Sequence, residues 1–201
     1  MNIVSKPSRN HAGFTLFELL IAVSLSTILL SSVAQVLIQQ RQGYTNRQAI
    51  NAMHQQARDA MGFMTRELTM AGYDPAGTGA GIVTATAVTV QFTQDLNQDG
   101  DLDDANENVT YTLYDADGDG DQDLGRNTGG GLLRLADNIQ ALAFTYTLDD
   151  DTITPTPTNL NRIRTVNITL ISRTAQPDDQ YPHNGGYRTA QLTAAVRIRN
   201  L

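Results

Sequence analysis

Residues 13–38 carry the sequence GFTLFELLIAVSLSTILLSSVAQVLI, an apolar run interrupted by one charged side chain, Glu18. From Leu19 to Ile38 the run contains 20 residues without a formal charge. At about 1.5 Å of rise per residue, a helix of that length covers the roughly 30 Å hydrocarbon core of a bilayer. The run therefore predicts a membrane-spanning helix.

The residues around this run leave two interpretations open. Lys6 and Arg9 precede it, and positive charge ahead of a span keeps that end of the chain in the cytoplasm. A cleavable secretory signal peptide is one interpretation, because the basic start, the apolar centre and the Ser-Val-Ala of residues 32–34 have the order of such a signal. An uncleaved span is favoured by Glu18, which a signal peptide does not need, and by the continuation of the apolar run to Ile38.

Residues 13–20, GFTLFELL, resemble the class III signal of type IV prepilins and type II secretion pseudopilins. The resemblance implies that a prepilin peptidase cuts after Gly13 and N-methylates Phe14. It also implies that the carboxylate of Glu18 pairs with the α-amine of Phe14 in a neighbouring subunit during assembly. The alternative for Glu18 is that its side chain only reaches the headgroup level of the membrane.

An apolar stripe continues the helix beyond the span. Its positions recur at intervals of three and four residues, as on one face of a helix. They are Ile50, Met53, Ala57, Met61, Met64, Leu68 and Ala71. Gly72 offers a C-terminal cap and Pro75 prevents continuation, so the helix is predicted to run from Phe14 to about Ala71.

Five strand-like runs follow, and several of them alternate apolar with polar residues. They are residues 82–93, 108–114, 131–136 with a continuation through 139–148, 162–173 and 187–199. Alternation predicts an antiparallel sheet with one buried face, which would receive the helix stripe. The expected fold class is α+β and pilin-like: a long N-terminal helix, transmembrane in its first half, packed on a C-terminal antiparallel β-sheet head. The expected boundaries are a leader at 1–13, a helix at 14–71 whose span covers about 14–38, and a head at 72–201 with acidic loops at 95–107 and 115–126.

Two further segments narrow the resemblance. Residues 66–73, RELTMAGY, resemble PilW-type minor pilins, and so do residues 132–139, LLRLADNI, followed by residues 142–146, LAFTY. This implies a structural subunit that helps to initiate or cap a type IV pilus, held in the inner membrane with a periplasmic head and later located at the pilus tip. The implied partners are the prepilin peptidase, other minor pilins, the major pilin, an inner-membrane assembly platform and a tip adhesin. The near neighbour is the J-type minor pseudopilin of type II secretion, whereas Glu18 argues against the K-type, which lacks that carboxylate.

Two acidic loops share one spacing of oxygen-bearing side chains. The first runs Asp95-x-Asn97-x-Asp99-Gly100-Asp101-x-Asp103, and the second runs Asp115-x-Asp117-x-Asp119-Gly120-Asp121-x-Asp123. Both match an EF-hand-type calcium loop up to its ninth position, in which alternate oxygens surround a hard cation and the glycine permits a sharp turn. The twelfth position departs from that pattern: it is Asn106, followed by Glu107, in the first loop and Arg126 in the second.

Calcium is therefore the predicted cofactor, on loops that connect strands rather than helices. The candidate ligands are Asp95, Asn97, Asp99, Asp101, Asp103 and Glu107 in the first loop, and Asp115, Asp117, Asp119, Asp121 and Asp123 in the second. The window 95–123 contains eleven acidic residues and no basic one, so its carboxylates would repel one another without a cation. The alternative is a pair of solvated acidic turns, because Asp, Asn and Gly favour turns.

Composition excludes several other functions. A formal net charge of −7 argues against binding nucleic acid, which needs a basic face. The chain has no cysteine, which excludes disulfides, thiolate metal sites and thiol nucleophiles. No pattern of a nucleophile with its base is evident, so an enzyme is not expected. Two classes remain: a structural assembly subunit, or an anchored or secreted calcium-dependent binding module.

Overall fold

The computed structural model describes residues 14–201 as two units, one ending at Thr45 and the other running from Asn46 to Leu201. The predicted leader, including Gly13, lies outside the described residues. Helix α1 (Leu16–Met70) forms the first unit and continues into the second. The predicted long helix is confirmed, within two residues at each end.

Helix α1 ends as its sequence predicts. Gly72 takes a φ of +76°, a left-handed conformation that glycine adopts without steric penalty. The backbone N–H of Tyr73 donates to the carbonyl of Met70 at 2.9 Å, which closes the last turn. The N–H of Gly72 donates to the carbonyl of Thr93 at 2.9 Å, so the end of the helix is tied to the head.

The second unit contains two antiparallel sheets, where the sequence predicted one. The first sheet has the strand order β1-β2-β3-β4-β5, and the second has the order β7-β6-β8-β9. The strands are β1 (Ile82–Ala85), β2 (Val90–Thr93), β3 (Asn108–Tyr114), β4 (Asp123–Asn127), β5 (Leu132–Ala136), β6 (Ile139–Leu148), β7 (Ile153–Thr154), β8 (Ile163–Arg173) and β9 (Thr189–Arg197). Apolar–polar alternation in a strand indicates which of its faces is buried but not which strands it pairs with. The pattern therefore could not distinguish one sheet from two.

The strands differ from the prediction at four places for local reasons. The run 131–136 does not continue through 139–148, because Asn138 takes a φ of +55° between β5 and β6, which belong to different sheets. Residues 82–93 form two strands because a turn intervenes, in which the N–H of Thr89 donates to Oγ1 of Thr86 at 2.9 Å. Strand β4 was not predicted, because its sequence, DLGRN, continues the acidic loop and does not alternate. Strand β7 has two residues, too few to show a pattern.

The hydrophobic core lies between the head portion of α1 and the two sheets. The predicted helix stripe is buried from Met53 onward, and Ile50 is partly buried at its outer end. The stripe forms one cluster with large side chains of both sheets, which include Phe92, Tyr111, Phe144 and Tyr146. The α+β architecture with a helix packed on antiparallel sheets is thus confirmed.

A polar contact joins α1 to the first sheet at the margin of this core. Arg126 of β4 donates Nη2 to Oε1 of Glu67 at 2.6 Å and Nε to Oε2 at 3.0 Å. The hydroxyl of Tyr111 on β3 donates to the same carboxylate. Burial, together with this hydrogen bond to Glu67, raises the pKa of Tyr111 above its ordinary value. One helix carboxylate therefore holds two adjacent strands.

We expect Met64→Ala to lower the free energy of unfolding by about 2–5 kcal/mol, because it leaves a cavity at a fully buried position of the stripe. Met70→Ala is the matched control on the same helix: that side chain is 38% exposed, and its loss should change stability by less than about 0.5 kcal/mol. Urea unfolding of the detergent-solubilised protein, followed by circular dichroism, measures both. Equal losses at the two positions would contradict this placement of the core.

Candidate functional sites

The first acidic loop, residues 95–107, gathers three carboxylates on its exposed side. Oxygens of Asp99, Asp101 and Asp104 lie within 4.8 Å of one another. The spacing of a calcium loop pointed to Asp103 as the last member of this group. The structure instead brings in Asp104, the next residue along the chain, and does not include Asp103 in the cluster.

These carboxylates repel one another. The Asn97 side chain relieves part of the repulsion, since its Nδ2 donates to Asp99 at 2.9 Å and to Asp104 at 2.6 Å. The negative charge of Asp99 is the main cause that raises the pKa of Asp104, and the charges of Asp101 and Glu107 add to it. Glu107 therefore lies close enough for its charge to act on Asp104.

Three side-chain oxygens are buried at the base of the first loop without a hydrogen-bond donor: Oε1 of Gln94, Oδ2 of Asp95 and Oε2 of Glu107. Asp95 and Glu107 are 0% and 1% exposed. The other oxygen of Asp95 accepts the N–H of Gln98 at 2.6 Å, and that of Glu107 accepts the N–H of Leu96 at 2.9 Å. Both carboxylates thus border the same turn. Within residues 14–201, these are the only buried side-chain polar atoms without a partner.

The second acidic loop, residues 115–126, gathers a separate cluster at the opposite end of β3. Oxygens of Asp115, Asp117 and Asp119 lie within 4.8 Å of one another. Both oxygens of Asp115 already accept backbone N–H groups of the loop, at 2.7 and 3.1 Å. The other two candidate ligands, Asp121 and Asp123, are not part of this cluster, and Asp123 is buried at the start of β4.

Two arginines from distant parts of the chain pair with acids of the second loop. Arg134 of β5 lies 2.7 Å from Asp117 and 3.8 Å from Asp123, and Arg173 at the end of β8 pairs with Asp121. The absence of a base along the sequence was therefore a wrong guide to the surroundings of this loop in space. In the described part of the chain, no basic side chain forms an ion pair with an acid of the first loop.

The N-terminal end of α1 is closed by a reciprocal pair of hydrogen bonds between Thr15 and Glu18. The backbone N–H and the hydroxyl of Thr15 both donate to Oε2 of Glu18 at 2.9 Å, and the N–H of Glu18 donates back to Oγ1 of Thr15 at 3.2 Å. This is a capping box, which satisfies backbone donors that have no partner at a helix start. The sequence analysis missed Thr15, although the Thr-x-x-Glu spacing before an apolar run is the signal for it.

The segment from 14 to 45 presents a largely apolar surface as far as Ile38, and the hydroxyl groups in that stretch are paired within the helix. Every residue in it is exposed, and α1 is long and apolar enough to cross a membrane. Its hydroxyl side chains donate to backbone carbonyls three or four residues earlier. These are Ser24, Ser26, Thr27, Ser31 and Ser32. Such internal pairing is what a hydrocarbon environment requires, because lipid offers no hydrogen-bond partner.

This segment has a counterpart among known families. Residues 8–34 carry the prokaryotic N-terminal methylation motif. The match includes Gly13, Phe14 and Glu18, and it supports the resemblance to type IV pilin-like proteins. No curated protein matches the chain significantly.

The methylation motif implies processing by a prepilin peptidase. Together with the apolar helix it fits a membrane-anchored single-pass protein of the pilin-like kind, a kind that is generally structural rather than enzymatic. Phe14, the residue that would become the methylated N-terminus, is 86% exposed and precedes the first residue of α1 by two positions. Gly13 is part of the matched motif but lies outside the described residues.

Proposed function

We propose that this protein is a minor pilin, a structural subunit that helps to initiate or cap a type IV pilus. The observation that carries the proposal is the methylation motif at residues 8–34, located at the start of a long apolar helix. The packing of that helix on an antiparallel β head supports it, as do the two segments that resemble PilW-type minor pilins. No step of this function requires catalysis by the chain itself.

The exposed face of the first helical unit has two successive environments in this function. Before assembly, lipid covers the apolar side chains between Leu16 and Ile38. In the pilus, apolar helices of neighbouring subunits cover them instead. A contiguous apolar surface of this extent marks an interaction site, because soluble monomers rarely expose one.

Glu18 would guide the transfer from membrane to pilus. An ionisable side chain inside a membrane is unfavourable and marks a functional site. Thr15 directs both of its donors to Oε2, and no described residue donates to Oε1 of Glu18. We assign that free oxygen to the α-amine of a methylated Phe14 in the neighbouring subunit, a pairing that would set the axial position of the incoming subunit.

The partners follow from this role. The prepilin peptidase acts first, and the inner-membrane assembly platform then brings the subunit together with other minor pilins and the major pilin. The head would lie in the periplasm and later at the pilus tip, where a tip adhesin is a further partner. A minor pseudopilin of a type II secretion system is the near alternative, since it would use the same N-terminal chemistry.

The mature N-terminus provides the test. We expect intact-mass analysis of the protein purified from membranes to show a chain that begins at N-methylated Phe14, because the resemblance to type IV prepilins implies cleavage after Gly13 within the methylation motif. A chain that begins at Gln35 would instead identify a secretory signal peptide. That result would overturn the proposal in favour of a secreted calcium-dependent binding module.

Copurifying proteins separate the two assembly systems. Crosslinking in membranes followed by mass spectrometry should recover other minor pilins and the pilus platform. Recovery of type II secretion components alone would favour the pseudopilin.

A further inference from the structure

Three side-chain oxygens without a hydrogen-bond donor lie together at the base of the first acidic loop. Oε1 of Gln94, Oδ2 of Asp95 and Oε2 of Glu107 are buried and have no donor. Burying an ionised carboxylate without a positive partner is strongly unfavourable, and native proteins avoid it unless an ion or water supplies the partner. Two carboxylates are in this condition at one place, and no basic side chain of residues 14–201 is paired with either of them. A bound cation would supply the missing partner.

The buried carboxylates and the exposed cluster bond to the same turn of the loop. Glu107 and Asp95 hold the turn at 96–98 through their other oxygens. Asn97, in the middle of that turn, bonds with its side chain to Asp99 and Asp104. The buried and the exposed carboxylates therefore surround one short piece of chain.

We propose that the first acidic loop is a calcium site, with Gln94, Asp95 and Glu107 as its buried floor and Asp99, Asp101 and Asp104 as its exposed side. All six residues offer carboxylate or amide oxygens, the ligands that a hard cation prefers. Calcium accepts six to eight such oxygens in a flexible arrangement, whereas magnesium demands a near-ideal octahedron and keeps its water. Calcium binding in the head does not depend on the assembly role.

The second loop differs from the first in the partners that its carboxylates have within the protein. Arg134 pairs with one member of its cluster, Asp117, and Arg173 pairs with the neighbouring Asp121. Its buried carboxylate, Asp123, accepts the N–H groups of Ala116 at 3.3 Å and of Asn138 at 3.1 Å. The second loop therefore has arginine partners for part of its charge, and both oxygens of its buried carboxylate accept hydrogen bonds.

The site is connected to the end of α1. The N–H of Asp95 donates to the carbonyl of Tyr73 at 2.7 Å, just beyond the helix. Arg126, which binds Glu67 of α1, also donates to Oδ1 of Asn106 at 2.7 Å, next to the floor residue Glu107. Calcium would therefore stabilise the junction between helix and head as well as the loop.

Thermal unfolding of the full-length protein in detergent tests the site. At a hundredfold excess of free calcium over its Kd, we expect Tm to rise by about 5–10 °C relative to the same sample in chelator. The same concentration of magnesium should give less than half of that shift. Identical melting curves in calcium and in chelator would overturn the proposal.

Three variants locate the ion. Glu107→Gln keeps the shape of the buried side chain but removes its charge, so it should abolish most of the calcium shift and melt no lower than the native chain in chelator. Asp99→Asn, at an exposed position, should weaken calcium binding at least about tenfold in a calorimetric titration. Asp119→Asn is the matched control in the second loop and should retain the whole shift.

The outcomes are distinct. If the Glu107→Gln variant melts lower in chelator and yet retains the calcium-induced rise in Tm, Glu107 has only a structural role. That result overturns the assignment of the buried residues as calcium ligands. Should Glu107→Gln fail to fold, an unchanged affinity of Asp99→Asn overturns the proposal on its own. Loss of the shift in Asp119→Asn alone places the ion in the second loop and also overturns it.

Discussion

Gly13→Leu is expected to leave the whole chain uncut and retained in the membrane. The peptidase must accommodate the residue that precedes the scissile bond, and glycine offers it an unobstructed backbone, whereas leucine adds a branched side chain at that position. Processing should fall to an undetectable level, and methylation of Phe14 should disappear with it, since the new N-terminus never forms. Immunoblots of membrane fractions show the precursor by its slower migration, and intact mass confirms that residues 1–13 are still present.

Asn10→Leu is the control for this experiment. It adds the same side chain within the leader, farther from the cut, and should be processed as the native chain is. If the Gly13→Leu chain is still trimmed to Phe14, the assignment of the leader is wrong. If both variants remain uncut, the effect belongs to the leader as a whole and not to Gly13.

Glu18→Ala is expected to insert and to be processed normally, yet to reach the pilus at least about tenfold less often than the native chain. The reason is the loss of the carboxylate that would pair with the α-amine of Phe14 in the neighbouring subunit. The measurement is the ratio of this subunit in sheared pili to that in membranes, by quantitative immunoblot.

Glu18→Gln separates the two roles that the structure gives this side chain. Glutamine at the same position can still close the capping box with Thr15, because that motif accepts either Glu or Gln. It carries no charge, however, and cannot form an ion pair. If pairing with the α-amine governs assembly, Gln should be as defective as Ala. Undiminished assembly of the Gln variant would show that Glu18 serves only to begin the helix.

The sequence was informative where the physics is local. The ends of α1 follow from a cap at Gly72 and from the start of an apolar run, and the buried stripe follows from helical spacing. The alternating strands β6, β8 and β9 were also found within a few residues. Each of these features depends on neighbours a few residues away, which the sequence displays directly.

The rest depends on approaches between distant residues. Arg134 and Arg173 pair with the second loop because β5 and β8 lie beside that loop. No spacing of residues along the chain predicts these ion pairs. The choice of Asp104 over Asp103 depends on how the first loop turns in the absence of flanking helices. Glu107 follows the twelfth position of the calcium-loop pattern by one residue, and that position gives no sign that its side chain is buried. The burial of Glu107 is nevertheless the observation on which the calcium proposal depends.

The contact between Glu67 and Arg126 has a consequence for how the helix finds its place on the sheets. Displacing α1 by one turn, about 5.4 Å, would still present apolar side chains to the same strands, although methionine and alanine would exchange places in the core. That displacement would part Glu67 from both Arg126 and the hydroxyl of Tyr111 and leave charged and polar groups without partners at the edge of the core. Hydrophobic burial therefore brings the helix to the sheets, and the Glu67 carboxylate, together with the backbone bond from Gly72 to Thr93, favours one axial position of the helix over its neighbours.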